Sequence, residues 1–383
     1  MMRTASLTTV GLAIFTASAQ AQTQESLLAL CTEAPVTDRT IEVCSQLLEN
    51  DQQITPEQRT EAYRKRGHLL FQQGGFDRAI SDFGKVIQSD PEDSVAYAIR
   101  GAAYLAQGDL DRAMSDVNEA IRLDPASATA YNVRGLAYAQ EGRPNMAIAD
   151  FDRAVWHDPN DASAYANRCF AYLTIGQADR AIVECSAAIR NDPIHIGAYN
   201  TRGVAHVQKG NWEKAARDFS EAIRLDPEDS MAYKNRSFVH IMMGDAEHAV
   251  ADAGEAIRRN PSEPGAYANR GRAYLELKEF DSAIADLDQA IRLYRDASVQ
   301  APPRAQDSNS IFEKDLYFDP SDRTFRCDDN FADAFFHRGV AYWNKGDLER
   351  ALSDIDEAVR LAPGNQEART WRDKLVKAKA GQK

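Results

Sequence analysis

A small residue recurs at a strict step of 34: Gly67, Gly101, Gly135, Cys169, Gly203, Ser237 and Gly271, with Gly339 two whole periods further on. A period of that length is one supersecondary unit that buries its apolar face only by stacking on copies of itself. Each unit repeats one internal grammar. An aromatic stands four residues before the marker (Tyr63, Tyr97, Tyr131, Tyr165, Tyr199, Tyr233, Tyr267, Phe335) and an alanine twelve after it, as at Ala79, Ala147 and Ala351. Apolar residues within each half follow helical spacing, and Gly-Asp or Gly-Asn steps such as Gly108-Asp109 and Gly210-Asn211 break the chain between the halves. Prolines such as Pro125, Pro159 and Pro227 stop the second half. The unit is a helical hairpin.

An acid follows sixteen residues after every arginine that precedes the marker. In an antiparallel hairpin whose turn falls midway, those two positions face each other. The pairs Arg100–Asp116, Arg134–Asp150 and Arg202–Asp218 therefore read as internal ion pairs, because a buried charge must be paired. A ladder of arginines offered to an acidic ligand is the functional alternative.

The pattern Tyr-x-x-Arg-Gly-x-x-Tyr, then Ala-x-x-x-Phe, then Ala and Pro, resembles the tetratricopeptide repeat (TPR), with arginine where that family usually has leucine. The resemblance covers seven contiguous units over 60–297 and an eighth over 332–365. It implies an all-α, right-handed superhelical solenoid of helix-turn-helix repeats. It also implies a concave groove lined by the first helices, and a partner that is a protein or an extended peptide. Carried over by position, that groove presents Asn167, Phe170, Leu173, Thr201, Asn235, Phe238, Ile241, Asn269, Arg272, Phe336, His337 and Trp343. Asparagine amides at 167, 235 and 269 both donate and accept, which suits a peptide backbone. The family's lysine–asparagine carboxylate clamp is not matched.

Several stretches depart from the grammar. Cys169 takes the marker position and Cys185 an apolar one; they lie about a helical turn from ideal facing positions, so a disulfide and two buried thiols both remain open. His206 and His240 replace the second aromatic in adjacent units and read as core substitutes for tyrosine rather than metal ligands, since no further ligand accompanies them. Residues 298–331 read as an irregular insertion or a decayed repeat, with Phe312, Tyr317, Phe318 and Phe325 as apolar anchors and Arg304 and Arg323 nearby. The eighth unit must stack on the seventh, because such units need neighbours. Residues 22–59 read as a helical cap in which a Cys31–Cys44 bridge ties two short helices and stabilises by roughly 3 kcal/mol. Residues 366–383 read as a second capping helix built on Trp371 and Leu375.

Residues 1–21 differ in kind: Arg3, an apolar stretch at Val10 to Phe15, then Ala19-Gln20-Ala21. This reads as a cleavable secretory signal cut after Ala21, which places the protein in a bacterial periplasm or otherwise outside the cytosol. Disulfides persist in such a compartment, and Cys327 is left as the odd thiol. With 45 basic against 58 acidic residues the net charge is −13, which argues against nucleic acid. No catalytic or metal motif and no cofactor site emerges, and no further stretch is apolar enough to span a membrane. The leading expectation is a non-enzymatic interaction scaffold in the periplasm. The alternatives are an enzyme, small-ligand or glycan-binding protein with its site on 298–331, and an assembly factor of a cell-envelope or secretion complex. The sequence leaves the oligomeric state open.

Overall fold

The computed structural model describes residues 27–31, 38–49, 54–300, 318–319, 324–325 and 329–381. The leader, Phe312, Tyr317, Arg304, Arg323 and Cys327 lie outside the described residues. The chain divides into two compact units, one ending at Pro159 and one beginning at Asn160. The first holds α1 (residues 27–31), α2 (Asp38–Glu49) and three hairpins: α3 (Pro56–Gln72) with α4 (Phe76–Ser89), α5 (Ser94–Ala106) with α6 (Leu110–Leu123), and α7 (Ala128–Gln140) with α8 (Pro144–His157). The second holds α9 (Ala162–Thr174) with α10 (Ala178–Asn191), α11 (Ile196–Gln208) with α12 (Trp212–Leu225), α13 (Ser230–Met242) with α14 (Ala246–Arg259), and α15 (Pro264–Glu276) with α16 (Phe280–Gln300). A last hairpin, α17 (Asp329–Asn344) with α18 (Leu348–Leu361), is closed by α19 (Gln366–Gly381).

The third hairpin shows why these residues fold this way. Ser127 caps α7 by accepting from the Ala130 amide, satisfying a donor that the first turn leaves orphaned. The helix ends at Gly142, whose φ of 72° reverses the chain. Pro144 then opens α8, where a missing N–H costs nothing. Gly74, Gly108, Gly176, Gly210, Gly244 and Gly346 make the same left-handed turn; in the seventh repeat Lys278 does so at φ 61°. Alanine twelve after the marker is fully buried in every hairpin, as at Ala79, Ala215 and Ala351.

The marker faces the position sixteen residues on, and the two occupants compensate in size. A Cβ on Gly135 would sit 2.5 Å from the Phe151 ring, one on Gly203 would sit 2.7 Å from Phe219, and one on Gly101 would sit 2.8 Å from Val117. In α9 and α10 the same facing positions hold Cys169 and Cys185, joined in a disulfide with Cα atoms 5.4 Å apart. The expected helical-turn offset between those cysteines is thus corrected. Cys31 and Cys44 are also bridged, Cα to Cα 4.9 Å, and tie α1 to α2.

The last hairpin packs directly on the seventh: Leu287 and Ile291 of α16 share a core with Phe335, Ile355 and Leu375. Residues 298–300, expected to be irregular, continue α16 to Gln300. Within the insertion the backbone of Phe318–Asp319 pairs antiparallel with Thr324–Phe325, Phe318 opposite Phe325. Among the described residues no helix is long and apolar enough to cross a membrane.

Candidate functional site

Every repeat arginine lies in the wall of its hairpin, between repeats. Arg134 Nε donates to Asp150 Oδ2 at 2.7 Å and its Nη2 to Oδ1 at 2.8 Å; Arg100 holds Asp116 and Arg202 holds Asp218 in the same two-pronged way. The carboxylates are buried. The remaining Nη1 turns to the previous repeat: Arg134 to Asn118, Arg202 to Ser186, Arg236 to Ser220, and Arg338 to Asp288 at 2.6 Å. Each guanidinium also stands over the ring one turn earlier, as Arg134 over Tyr131 at 5.5 Å. The carboxylate hydrogen bonds hold the Arg100, Arg134 and Arg202 pKa values above the ordinary value. With two arms on its own acid and the third on its neighbour, each of Arg134, Arg202, Arg236 and Arg338 staples consecutive hairpins. Arg100 and Arg270 instead face Gly84 and Gly254, which offer no side chain to the third arm. A ladder presented to a ligand is not what these side chains form.

First helices pack on one another in series, α5 on α7 and, in the second unit, α9, α11, α13, α15 and α17 in turn, whereas among the described residues no two consecutive second helices pack as closely. The first helices are therefore the inner layer of each unit. The residues two before and one after the marker make its surface. In the second unit these include Asn167, Phe170, Thr201, Val204, Asn235, Phe238 and Arg272, all half-buried. The first unit offers Ile99 and Leu136 at the same register, which the sequence reading did not single out although the period alone locates them.

Four expected groove residues are placed otherwise. Leu173, Ile241 and Phe336 are core, at 1%, 3% and 5% exposure. Leu173 and Ile241, four after the marker, join the apolar clusters of their hairpins, and Phe336, three before it, packs in the last core against Trp371. Asn269 is committed between repeats: its Nδ2 donates to the Lys234 carbonyl at 3.1 Å and to Ser237 Oγ at 2.9 Å. His337 and Trp343 remain half-buried at the end of the row. Desolvation, and secondly the charge of Arg272, push the His337 pKa well down. Lys374 of α19 stands 5.4 Å from the Trp343 ring centroid.

His206 and His240 lie in the tyrosine layer, Nε2 3.9 Å from Asp218 and 3.5 Å from Asp252. Burial lowers both pKa values against the pull of those carboxylates. Among the described residues no group of three His, Cys, Asp or Glu is placed to hold a metal.

Sequence profiles described as tetratricopeptide repeat match residues 64–128 and 240–298, 101–171, and 196–229 with 332–365. The chain is a tetratricopeptide-repeat protein. No curated protein matches its sequence. Its TPR fold is similar to a chain in the crystal structure of the APC/C hetero-tetramer Cut9–Hcn1, with TM-score 0.59, 18% identity, 88% of this chain and 59% of that chain covered. This chain thus spans well under two thirds of that one. Two other solved TPR structures are similar over shorter stretches. PilF of Pseudomonas aeruginosa has TM-score 0.48 and 20% identity, over 66% of this chain and 98% of that one. YrrB, described as a TPR protein with an unusual peptide-binding site, has TM-score 0.41 and 21% identity, over 48% and 95%.

Proposed function

We propose that this TPR protein is a non-catalytic scaffold, exported to the periplasm, that holds an extended segment of a protein partner along the inner face of its first helices. One observation carries the reading: consecutive first helices present an unbroken series of half-buried, chemically mixed side chains, from Asn167 and Phe170 through Asn235 and Phe238 to Arg272. Half-buried apolar side chains gain further burial from an added strand of chain, and side-chain amides satisfy its backbone. Export is supported by two fully buried disulfides, which persist in an oxidising compartment, and by the signal-like stretch before Gln22.

A photo-crosslinking residue at Thr201, on the inner face, tests this against one at the exposed Arg217 of α12. In periplasmic extract the Thr201 position should trap a discrete protein, with the yield falling when Phe238 is changed to Glu. Trapping from Arg217 alone would remove the groove from consideration. Deleting 301–328, which spares α16 and α17, should leave the crosslink in place.

A further inference from the structure

The two inner-face registers just described carry no acidic side chain in a chain that is acidic as a whole. Of 383 residues 58 are acidic, yet neither the position two before the marker nor the one directly after it is Asp or Glu in any of the eight repeats. Those positions are the surface just described. One of them, Arg272, is anomalous in a second way. Arg64 and the eight repeat arginines each hold a carboxylate. Arg272 is half-buried on α15, and its polar contact among the described residues is Met242 Sδ at 3.8 Å. Glu276, one turn on, is exposed and forms no ion pair with it. Met242 lies on α13 and His337, which feels the Arg272 charge, on α17; the guanidinium therefore stands in the row between neighbouring first helices. A partly desolvated cation that meets no carboxylate among the described residues is set up to gain from one.

The same register holds Phe238 one repeat before Arg272 and, with the lapse of the insertion, Val340 on the next first helix after it, both half-buried. Packed helices stand about 10 Å apart and an extended chain advances about 3.3 Å per residue, so one repeat matches about three residues of a bound strand. We propose that the inner face of the second unit binds an extended partner segment with one acidic side chain opposite Arg272 and apolar side chains about three residues to either side of it. Because apolar surface continues on both sides of Arg272, the chain runs past the charge and the carboxylate is a side chain's. This rests on the groove reading and specifies its ligand.

Blocked, fluorescein-labelled nonapeptides of serine test it, with a central Glu and Phe and Leu three residues before and after. Binding is followed by anisotropy at about 0.15 M salt, where exposed charges are screened beyond roughly 8 Å. The Glu peptide should bind the full chain at least ~10-fold more tightly than its Gln counterpart, and the Lys counterpart should bind more weakly still. Arg272→Gln should erase the preference of Glu over Gln, and Arg272→Lys should keep part of it. Equal binding of the Glu and Gln peptides to the unaltered protein overturns the proposal without recourse to any variant. So does a preference that survives Arg272→Gln, or tighter binding of a peptide ending in a free carboxylate at the Glu. If no peptide binds while the Thr201 crosslink still forms, this ligand chemistry is wrong and the scaffold reading stands.

Discussion

Removing Asp150 leaves the Arg134 guanidinium in the hairpin wall with its two-pronged partner gone. Asp150→Ala should therefore cost about 3 kcal/mol or more, since breaking one member of a buried pair strands the other. Changing both members, Arg134→Met with Asp150→Leu, should recover most of that loss; chemical denaturation of the three proteins measures it. If the double change costs more than the single one, the pair supplies net stability as well as register. His206 and His240 make a second prediction at this scale. Burial depresses both pKa values below the unfolded value of about 6.5, so the unfolded chain binds more protons as pH falls below that point. Stability is full above about 6.5 and is lost on acidification. His337 has the same sign. His248 is raised by Asp245 and has the opposite sign, but it is fully exposed and screened. The melting temperature should drop between pH 7.5 and 5, and His206→Tyr with His240→Tyr should reduce the drop.

At the scale of the hairpin, the compensating marker pairs are interchangeable solutions to one packing problem. Glycine with phenylalanine, cysteine with cystine partner, and Ser237 with Ala253 fill the same gap between two helices. The Cys169–Cys185 bridge closes a loop of 16 residues, worth about 3 kcal/mol on chain-entropy grounds. Cys169→Ala with Cys185→Ala should lose that and leave a void besides. Cys169→Gly with Cys185→Phe, the pair used by the neighbouring hairpins, should refill the void and restore a substantial part of the melting temperature. A Gly–Phe variant no more stable than the Ala–Ala one would mean that the bridge, rather than the volume, matters at this site.

For the whole molecule the ends decide solubility, because each repeat leaves an apolar face for its neighbour. On the second unit that face is closed by α19, which buries Ala368 and Leu375 completely and sets Trp371 edge-on to Phe336 at 6.4 Å. Ending the chain after Asn365 should expose this core and produce concentration-dependent association in light scattering. A truncated chain with the association state and melting temperature of the full chain would show that α19 contributes little.

The period of 34, the helical grammar and the sixteen-residue Arg–acid interval are local signals. They repeat in one dimension, so the sequence alone determines the hairpin, the stack and the partner of each arginine. It also marks which register positions recur on the first helices. What it does not determine is how far each of those positions turns inward. Leu173 and Ile241 look like groove residues by register and are core; Asn269 looks like a backbone clamp and is spent on Lys234 and Ser237. The third arm of Arg134, Arg202 and Arg338, reaching to Asn118, Ser186 and Asp288 of the preceding repeat, is likewise set by packing between hairpins. So are the facing of Cys169 with Cys185 and the placing of Arg272 without a carboxylate partner among the described residues. A periodic sequence specifies which residues share a face. Only the contact between neighbouring helices settles which of them that face buries, commits or leaves for a partner.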